Sequence, residues 1–410
     1  MQRRSIIALI VGIVLVSTGS YFLLRSAFHR LTIEPATGTP GITRGTIRIG
    51  SVKPLTGPAS FLGTEYAIGE RTYLNAVNDA GGIFGRTIEV IDYDDQYDPK
   101  NTIYDTQKLI VHDDIFALLD YVGTATGKKI IPMIDEARIP LIGLFSGAKI
   151  FREPIQPYIF NIRASYREEA AKLIDYLVKA RGITKIAVLY QYDEFGFDVL
   201  QGIKDSLKTY GMTSTVDASY ERNTLDVEPA LDTINAARPE AVILASVYGP
   251  GAQFVKLAHA KGFDPIFATM SFIGPEKFQQ DLGAESEGIL VSQIMPIPGT
   301  EPDPNCPDGY EQLLAKYFPG KSPSLGTLEG FMNAKIMVEG LRRAGSALTR
   351  ASFINALESL TDYPVGEHIR ASFSKTDHQA LHDVYLTRIA DGKFILADTE
   401  TTPTHDCIQL

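Results

Sequence analysis

Short segments of alternating apolar and polar residues recur along the chain, separated by stretches in which apolar residues return at helical spacing. Residues 46–50, TIRIG, alternate at period 2, PLTGP ends this strand, and residues 65–79 continue at helical spacing until AGG. Further strands are predicted at 116–122, 140–144, 185–190, 241–247 and 288–293, with helices such as 167–179 between them. This alternation predicts parallel βαβ units and an α/β fold.

The order of the motifs carries a resemblance to a known family. From residue 46 the order is strand, PLTGP, helix, NDAGGIFGR, second strand and YDDQYDP. Four further motifs follow later in the chain: PLIGLFSGA, IAVLYQYDEFG, FIGPE and DHQALHDVYL. Over residues 46–400 the chain resembles the leucine/isoleucine/valine-binding branch of type I periplasmic solute-binding proteins. The resemblance implies two Rossmann-like open-sheet lobes joined by a hinge, usually in a protein that delivers a solute to a membrane transporter.

A break near residues 162–165 separates two similar α/β halves. The helix after the break is predicted to begin with a capping box formed by Ser165 and Glu168. From the resemblance we expect a first lobe at residues 46–162 plus 298–374 and a second lobe at residues 163–297 plus 375–410.

An uncharged apolar segment occupies residues 6–24, after MQRR. As a helix it would be about 28 Å long, close to the thickness of a bilayer core. This segment is either a retained membrane anchor or a cleaved secretory signal, although the cleavage motif at residues 17–19 is weak. A buried core helix is the third alternative. Residues 1–30 are therefore predicted to be a signal or anchor, and residues 31–45 a flexible linker.

Composition narrows the possible partners. The chain has 39 basic and 49 acidic residues, a formal net charge of −10, which argues against nucleic acid or anionic lipid as a partner. Cys306 and Cys407 are the only cysteines. An even pair in an exported chain suggests a disulfide between them.

The segment GTATGKK follows a predicted strand and opens a helix. A nucleotide-binding P-loop needs four residues between its glycines and a Ser or Thr after the lysine, whereas this segment has three residues and then Lys129. Unpaired amides and hydroxyls at a helix amino terminus can hold a carboxylate instead. In the resembled family this loop binds the carboxylate end of the ligand, which implies that role for Thr124, Ala125 and Thr126. A capped helix with solvated hydroxyls is the alternative.

A second ligand loop is expected at FSGA. The resemblance implies that Ser146 and Gly147 contact the ligand, although Lys149 stands where the family has Thr, and a plain turn is the alternative. Glu276 in FIGPE resembles the family's acceptor for a ligand ammonium. Otherwise it is an acid favoured by the dipole at a helix start.

Aromatic residues follow two strands of the second lobe. Tyr192 and Phe195 come after one strand and Tyr248 after another, and we expect them to line the apolar middle of a cleft. Burial in the core for packing alone is the alternative. The family often has Tyr in place of Phe195, which implies a more apolar cleft here.

Catalytic and metal patterns are weak. His378 and His382 lead into an alternating strand, which predicts a solvated hairpin in place of a zinc site, since no third ligand is positioned. Asp94 and Asp95 alternate across a strand end and are predicted to be a solvated edge. The glycines around Ser146 miss the G-x-S-x-G spacing of a hydrolase by one place. No cofactor or metal is predicted.

The sequence thus predicts an extracytoplasmic or periplasmic solute-binding protein, not an enzyme, whose lobes close over a small amino-acid-like ligand and deliver it to an ABC transporter permease. Residues 6–24 are expected to tether it to the cytoplasmic membrane. A membrane-tethered sensory receptor domain for an amino acid, amide or aromatic acid, with a signalling partner, is the alternative in the same structural class. A hydrolase or transferase that uses the same loops is the alternative outside it.

Overall fold

The computed structural model describes residues 38–299, 309–366 and 369–397, and its strands form two large sheets. The first sheet consists of β1 (Thr46–Lys53), β2 (Thr87–Asp94), β3 (Ala117–Leu119), β4 (Leu141–Ile142) and β5 (Ile159–Phe160). Its order is β2-β1-β3-β4-β5, and all neighbours are parallel. An open α/β sheet of this order binds ligands beyond the carboxyl ends of β1 and β3, where the strand order reverses.

The second sheet repeats this arrangement and extends it. It contains β6 (Ile186–Gln191), β7 (Asp217–Tyr220), β8 (Ala241–Ala245), β9 (Ile266–Thr269), β10 (Leu290–Gln293), β13 (Tyr385–Ala390) and β14 (Lys393–Leu396), whereas β11 (Tyr363–Pro364) and β12 (Arg370–Ala371) form a separate pair. The order is β14-β13-β10-β9-β8-β6-β7; β13 is antiparallel to both of its neighbours, β10 and β14, and the other neighbouring pairs are parallel. Its point of reversal lies between β6 and β8.

Eleven described helices cover the two sheets. They are α1 (Ser60–Asp79), α2 (Pro99–Val111), α3 (Thr124–Ala137), α4 (Tyr166–Asp175), α5 (Glu194–Thr209), α6 (Glu228–Ala237), α7 (Tyr248–Ala260), α8 (Pro275–Leu282), α9 (Tyr310–Tyr317), α10 (Leu325–Ala344) and α11 (Arg350–Glu358). Helices α1–α3 and α9–α11 form the first lobe with the first sheet, and α4–α8 form the second lobe with the second sheet. The predicted fold class of two open-sheet lobes is confirmed.

Local predictions also hold in large part. Each predicted strand overlaps an observed one, and the observed strands are shorter at several ends. The capping box is present, with the Ser165 hydroxyl accepting from the Glu168 amide and the Glu168 carboxylate accepting from the Ser165 amide. The helix predicted to reach residue 179 ends at Asp175 and continues as a wider π turn, Tyr176–Ala180.

Several predictions fall outside the described ranges. Within those ranges no helix has the length and apolar character needed to cross a bilayer. The apolar segment at residues 6–24, together with Cys306 and Cys407, lies outside them. The anchor, the disulfide and the lobe boundaries stay predictions.

The chain passes between the lobes after β5, after β10 and after β12. The third of these segments lies against the edge of the first sheet, because Asn161 pairs with Gln379 beyond the end of β5. This pairing buries His378, which stacks on Phe160 with ring centres 4.1 Å apart. The predicted solvated hairpin is therefore wrong for His378, since a long-range strand contact covers it.

Side chains hold these crossing segments together. The Arg152 guanidinium donates to the Gln379 amide oxygen at 2.7 Å and to the Arg163 carbonyl oxygen at 3.0 Å. His382 lies on the third segment and hydrogen-bonds the carboxylate of Glu168 at 2.7 Å. Glu168 comes just after the first segment in the chain. The first and third crossings are thus joined by an Arg–Gln contact and a His–Glu contact.

Helices α1 and α10 approach closely in the first lobe, because each has a glycine at the contact. A Cβ atom on Gly69 would lie 2.0 Å from the Thr327 carbonyl oxygen, and one on Gly330 would lie 2.5 Å from the Tyr66 carbonyl oxygen. Neither backbone can accept a side chain without moving the helix. In α5, by contrast, a Cβ on Gly202 would meet its nearest atom at an ordinary 3.5 Å.

Gly69→Ala should destabilise the protein by about 1–3 kcal/mol, because the methyl group forces α1 and α10 apart. Gly202→Ala is the matched control, and it should be neutral or stabilising by about 0.5–1 kcal/mol, since alanine is the better helix former. Denaturant unfolding of both variants measures the difference. Equal stability of the two would contradict the close contact between α1 and α10.

His382→Gln should lower the free energy of unfolding at about pH 5.5 and leave it unchanged at about pH 8.5. The hydrogen bond to Glu168 raises the pKa of His382 above its ordinary value of 6.5. A pKa raised by folding gives a stabilisation that is complete below the unfolded value and is lost as pH rises through the folded value. Urea unfolding of both proteins at the two pH values tests this. A difference that persists at the higher pH would mean that the contact is not ionic.

Candidate functional site

The carboxyl ends of both sheets face a cleft between the lobes, and α3 begins there. Gly123 precedes α3 at φ 104°, and a Cβ atom on it would lie 2.6 Å from a ring carbon of Tyr97. Glycine is required here by both conformation and space. No side chain caps α3, so the amides of its first turn have no side-chain acceptor.

Two of the predicted carboxylate-binding residues meet at this helix start. The Thr124 and Ser146 hydroxyls lie 2.8 Å apart, and both residues are buried. Tyr166 of the second lobe packs on Gly147, where a Cβ would lie 2.5 Å from the Tyr166 ring, and its amide donates to the Gly147 carbonyl oxygen at 2.9 Å. These four residues form one group, and Tyr166 is the member that the sequence did not indicate.

The other two residues of that loop are placed differently. The Thr126 hydroxyl donates to the carbonyl oxygens of Val122 and Gly123 at 2.5 and 2.9 Å, so it stabilises the helix start. Ala125 is buried, and it contributes its backbone amide to the first turn of α3.

Aromatic rings from both lobes fill the middle of the cleft. Phe145 of the first lobe stacks on Phe272 of the second with ring centres 5.1 Å apart. Phe195 lies 4.3 Å from Phe272, and Tyr66 lies 4.6 Å from Phe145. The prediction had Phe195 in an apolar middle, whereas the sequence did not indicate the other three rings of this group.

The remaining predicted aromatics lie at the periphery. Tyr248 is nearly buried, and its ring meets Phe61 of the first lobe edge-on with centres 6.0 Å apart. Tyr192 is 58% exposed and packs on Phe197 of its own lobe, 5.1 Å away. Tyr248 is thus brought to the facing lobe, and Tyr192 is not.

A small cavity lies between the lobes beside the aromatic rings. Its volume is about 20 Å³, room for about one water molecule. Its charged lining residues are Glu65, Glu276, Glu329 and Arg163, with Gln293 as an amide from the second lobe. A larger solute needs the lobes to part or the rings to move.

Glu276 reaches across the cleft from the first turn of α8. Its carboxylate accepts the Leu325 amide at 2.7 Å and so satisfies the amino terminus of α10 in the other lobe. Burial raises the pKa of Glu276 to about 7, although the Leu325 amide works in the opposite direction. Glu65 pairs with Lys321, whereas no described basic side chain forms an ion pair with Glu276.

Arg163 lies at the first crossing and is buried in the cleft. It pairs with Glu329 of the first lobe at 3.3 Å, donates to the Ser271 hydroxyl of the second lobe at 2.5 Å, and lies over the Phe145 ring. Ser271 in turn donates to Glu169, from its amide at 2.9 Å and from its hydroxyl at 3.0 Å. Burial raises the pKa of both Glu329 and Glu169, and Arg163 opposes this effect.

Buried charges also lie beneath the ligand loop of the first lobe. Lys53, at the end of β1, contacts Glu70 at 2.7 Å and Asp92 at 3.2 Å, with all three side chains shielded from solvent. Asp120, at the end of β3, accepts from the Asn333 amide at 2.6 Å. Burial and the neighbouring Glu70 raise the pKa of Asp120 well above its usual range.

The acids at the end of β2 differ from the predicted solvated edge. Asp94 is partly exposed and accepts from the Leu55 amide at 2.8 Å. Asp95 is fully buried and accepts from the Tyr97 amide and the Thr102 hydroxyl at 2.8 and 2.7 Å. The prediction is wrong for Asp95, because hydrogen bonds within the local turn take the place of hydrogen bonds to water.

In the described ranges no three His, Cys, Asp or Glu side chains are grouped as a metal site would require.

The residues that sequence reasoning missed had one visible signal. Lys53 interrupts the apolar strand TIRIGSVKPL, and Arg163 follows the apolar segment before the first crossing. A charged residue inside an apolar strand is rarely buried without a partner. The partners lie far along the chain and could not be identified from spacing.

Comparisons with known proteins agree with this architecture. A family model described as "Periplasmic binding protein" matches residues 46–393. A Leu/Ile/Val-binding protein homolog 3 of Brucella melitensis is 22% identical, over 85% of this chain and 93% of its own length. The crystal structure of a substrate-binding periplasmic protein from Ralstonia solanacearum is 31% identical, with a TM-score of 0.77 over 85% of this chain and 99% of that one.

A second solved structure is similar over a comparable length. It is a possible leucine/isoleucine/valine-binding protein from Rhodopirellula baltica, 27% identical, with a TM-score of 0.79 over 89% of this chain and 99% of that one. The matched range includes the first sheet, the second sheet as far as the start of β14, and every residue of the cleft described above. The chain therefore belongs to the periplasmic binding protein family, whose members bind solutes outside the cytoplasm.

Proposed function

We propose that this protein captures a small amino-acid-like solute between its lobes and delivers it to an ABC transporter permease in the cytoplasmic membrane. The observation that carries the proposal is the pairing of an uncapped helix start on one lobe with an acid lacking an ionic partner on the other. An amino acid offers one negative and one positive end to such a pair. The names of the Leu/Ile/Val-binding relatives support the same class of solute.

The solute carboxylate would bind at the start of α3. The amides of Ala125 and Thr126 point out of an uncapped first turn, and the helix dipole favours an anion there. The hydroxyls of Thr124 and Ser146 lie 2.8 Å apart and can turn towards the carboxylate. The Tyr166 hydroxyl, buried without a hydrogen-bond partner, is a further donor from the second lobe.

The solute ammonium would bind at Glu276. Arg163 balances Glu329 and Lys321 balances Glu65, which leaves Glu276 as the cavity acid without a paired base. A bound ammonium favours the ionised carboxylate, so it would bring the pKa of Glu276 down from about 7. The apolar part of the solute would then lie among Phe145, Phe195 and Phe272, with Tyr248 at the rim.

Binding without chemical conversion is part of this proposal. The lobes, with predicted boundaries at residues 46–162 plus 298–374 and 163–297 plus 375–410, would part to admit the solute and then close over it. Closure removes water from the site and strengthens the polar contacts at both ends. The membership of a solute-binding family supports binding as the whole activity.

Glu276→Gln should weaken amino-acid binding by roughly 1.5–3 kcal/mol, about one to two decades in affinity, because it removes a charge-assisted hydrogen bond to the ammonium. The glutamine oxygen can still accept the Leu325 amide, so folding should hardly change. Thr124→Val should weaken an amino acid and its deaminated analogue alike, since it acts on the anionic end.

A thermal-shift panel of amino acids and carboxylates identifies the solute. Calorimetry on the two variants then measures its affinity. Solute recovered from the protein afterwards should be chemically unchanged. Thr72→Val is the matched control, because Thr72 is a buried threonine of α1 whose hydroxyl bonds the Ile68 carbonyl oxygen at 2.7 Å, and it should bind like the parent. A panel with no stabilising amino acid would refute the proposed solute. Parental affinity in Glu276→Gln would make Glu276 a helix-capping acid only.

We also propose that the full chain stays with the cytoplasmic membrane through residues 6–24. The support is the uncharged length of this segment, about that of a bilayer core, and its weak cleavage motif. Membrane fractionation followed by amino-terminal sequencing should find intact protein in the membrane pellet. A soluble protein beginning near residue 20 would identify a cleaved signal.

A further inference from the structure

Arg222 joins the two lobes through contacts that involve no residue of the cavity lining. It follows β7 in the second lobe, and its guanidinium carbon lies 3.8 Å from the ring centre of Tyr97 in the first lobe. The same guanidinium donates to the Tyr97 carbonyl oxygen and pairs with Asp193 at 3.1 Å. The Arg222 and Asp193 side chains are only 11% and 8% exposed, so water screens these contacts weakly.

Both ends of this contact are attached to the starts of ligand-facing helices. The Tyr97 ring covers Gly123, which immediately precedes α3. Asp193 accepts the amides of Phe195 and Gly196 at 3.0 and 3.2 Å, and so caps α5. Arg222 therefore connects the helix start proposed for the solute carboxylate with the helix that carries Phe195.

We propose that Arg222 is a positioning residue that acts as a clasp: it stabilises the closed arrangement of the lobes without touching the solute. The ion pair with Asp193 lies within the second lobe and survives opening, whereas the contacts with Tyr97 exist only when the lobes are closed. A planar guanidinium can stack on a ring and donate in its own plane at the same time. This inference goes beyond the proposed function, because it concerns closure and holds for any solute.

Hydrogen exchange of the full chain, with no amino acid added, tests the clasp. Arg222→Met keeps an unbranched side chain of about the length of the arginine stem and removes the guanidinium. We expect exchange in residues 97–98, 124–127 and 193–196 to rise about tenfold, equal to about 1.4 kcal/mol of closure, because exchange follows the open population. Strand β8, which is buried within the second lobe, should exchange as in the parent.

Arg343→Met is the matched control. Arg343 also pairs with an acid, Glu339 at 2.7 Å, and lies over a tyrosine ring, Tyr363 at 5.6 Å, but all three residues belong to the first lobe. Its loss should leave the cleft segments unchanged. Arg222→Lys keeps a charge beside Asp193 but cannot stack a planar group, so it should open the cleft less than Arg222→Met.

If the cleft segments of Arg222→Met exchange at the same rate as in the parent protein, the proposed clasp is wrong. It is also wrong if exchange in β8 increases by the same size in both Arg222 variants, because Arg222 would then support the fold of the second lobe and not its closure. Since no solute is present, either result is independent of whether amino acids bind.

Discussion

The buried guanidinium of Arg163 is the interaction on which the arrangement of the lobes depends. A charge without water needs partners in a defined geometry, and here one partner comes from each lobe, Glu329 at 3.3 Å and Ser271 at 2.5 Å. Removing either partner would leave a buried charge partly unpaired, which costs more than the contact itself contributes. These two contacts fix how the lobes meet at Arg163, beside the cavity that it lines.

Acidic groups dominate the rest of the cleft, and burial decides their charge. Burial raises the pKa of Glu276 to about 7 and also raises the pKa of Asp120 beneath the ligand loop, so both carboxyls hold a proton more readily than exposed ones. Lys53 is shared between Glu70 and Asp92 and prevents mutual repulsion at the end of β1. Glu276 is thus the acid of the cavity lining that has no described ion-pair partner, whereas Glu65 and Glu329 each have one.

Features set by neighbours in the sequence were predictable, and features set by distant partners were not. The strands, the capping box at Ser165 and the start of α3 follow from short patterns of apolar, glycine and hydroxyl residues. The burial of His378 was missed because it depends on a pairing between Asn161 and Gln379, which no local pattern reveals. For the same reason the sequence indicated Phe195 but not the ring of Phe272 that packs on it, nor the ring of Phe145 on the far side of Phe272.

The glycine contact between α1 and α10 has a consequence for the order in which the two lobes can fold. These two helices complete one core, yet strands β6–β10 and helices α4–α8 of the second lobe lie between them in the chain. During synthesis or export the parallel strands β6–β10 of the second lobe can pair before α10 has been made, because they are contiguous in the chain. The first sheet, by contrast, is covered on the side of α1 only after α10 has followed. Until then the face of α1 around Gly69 lacks the helix that covers it in the folded protein.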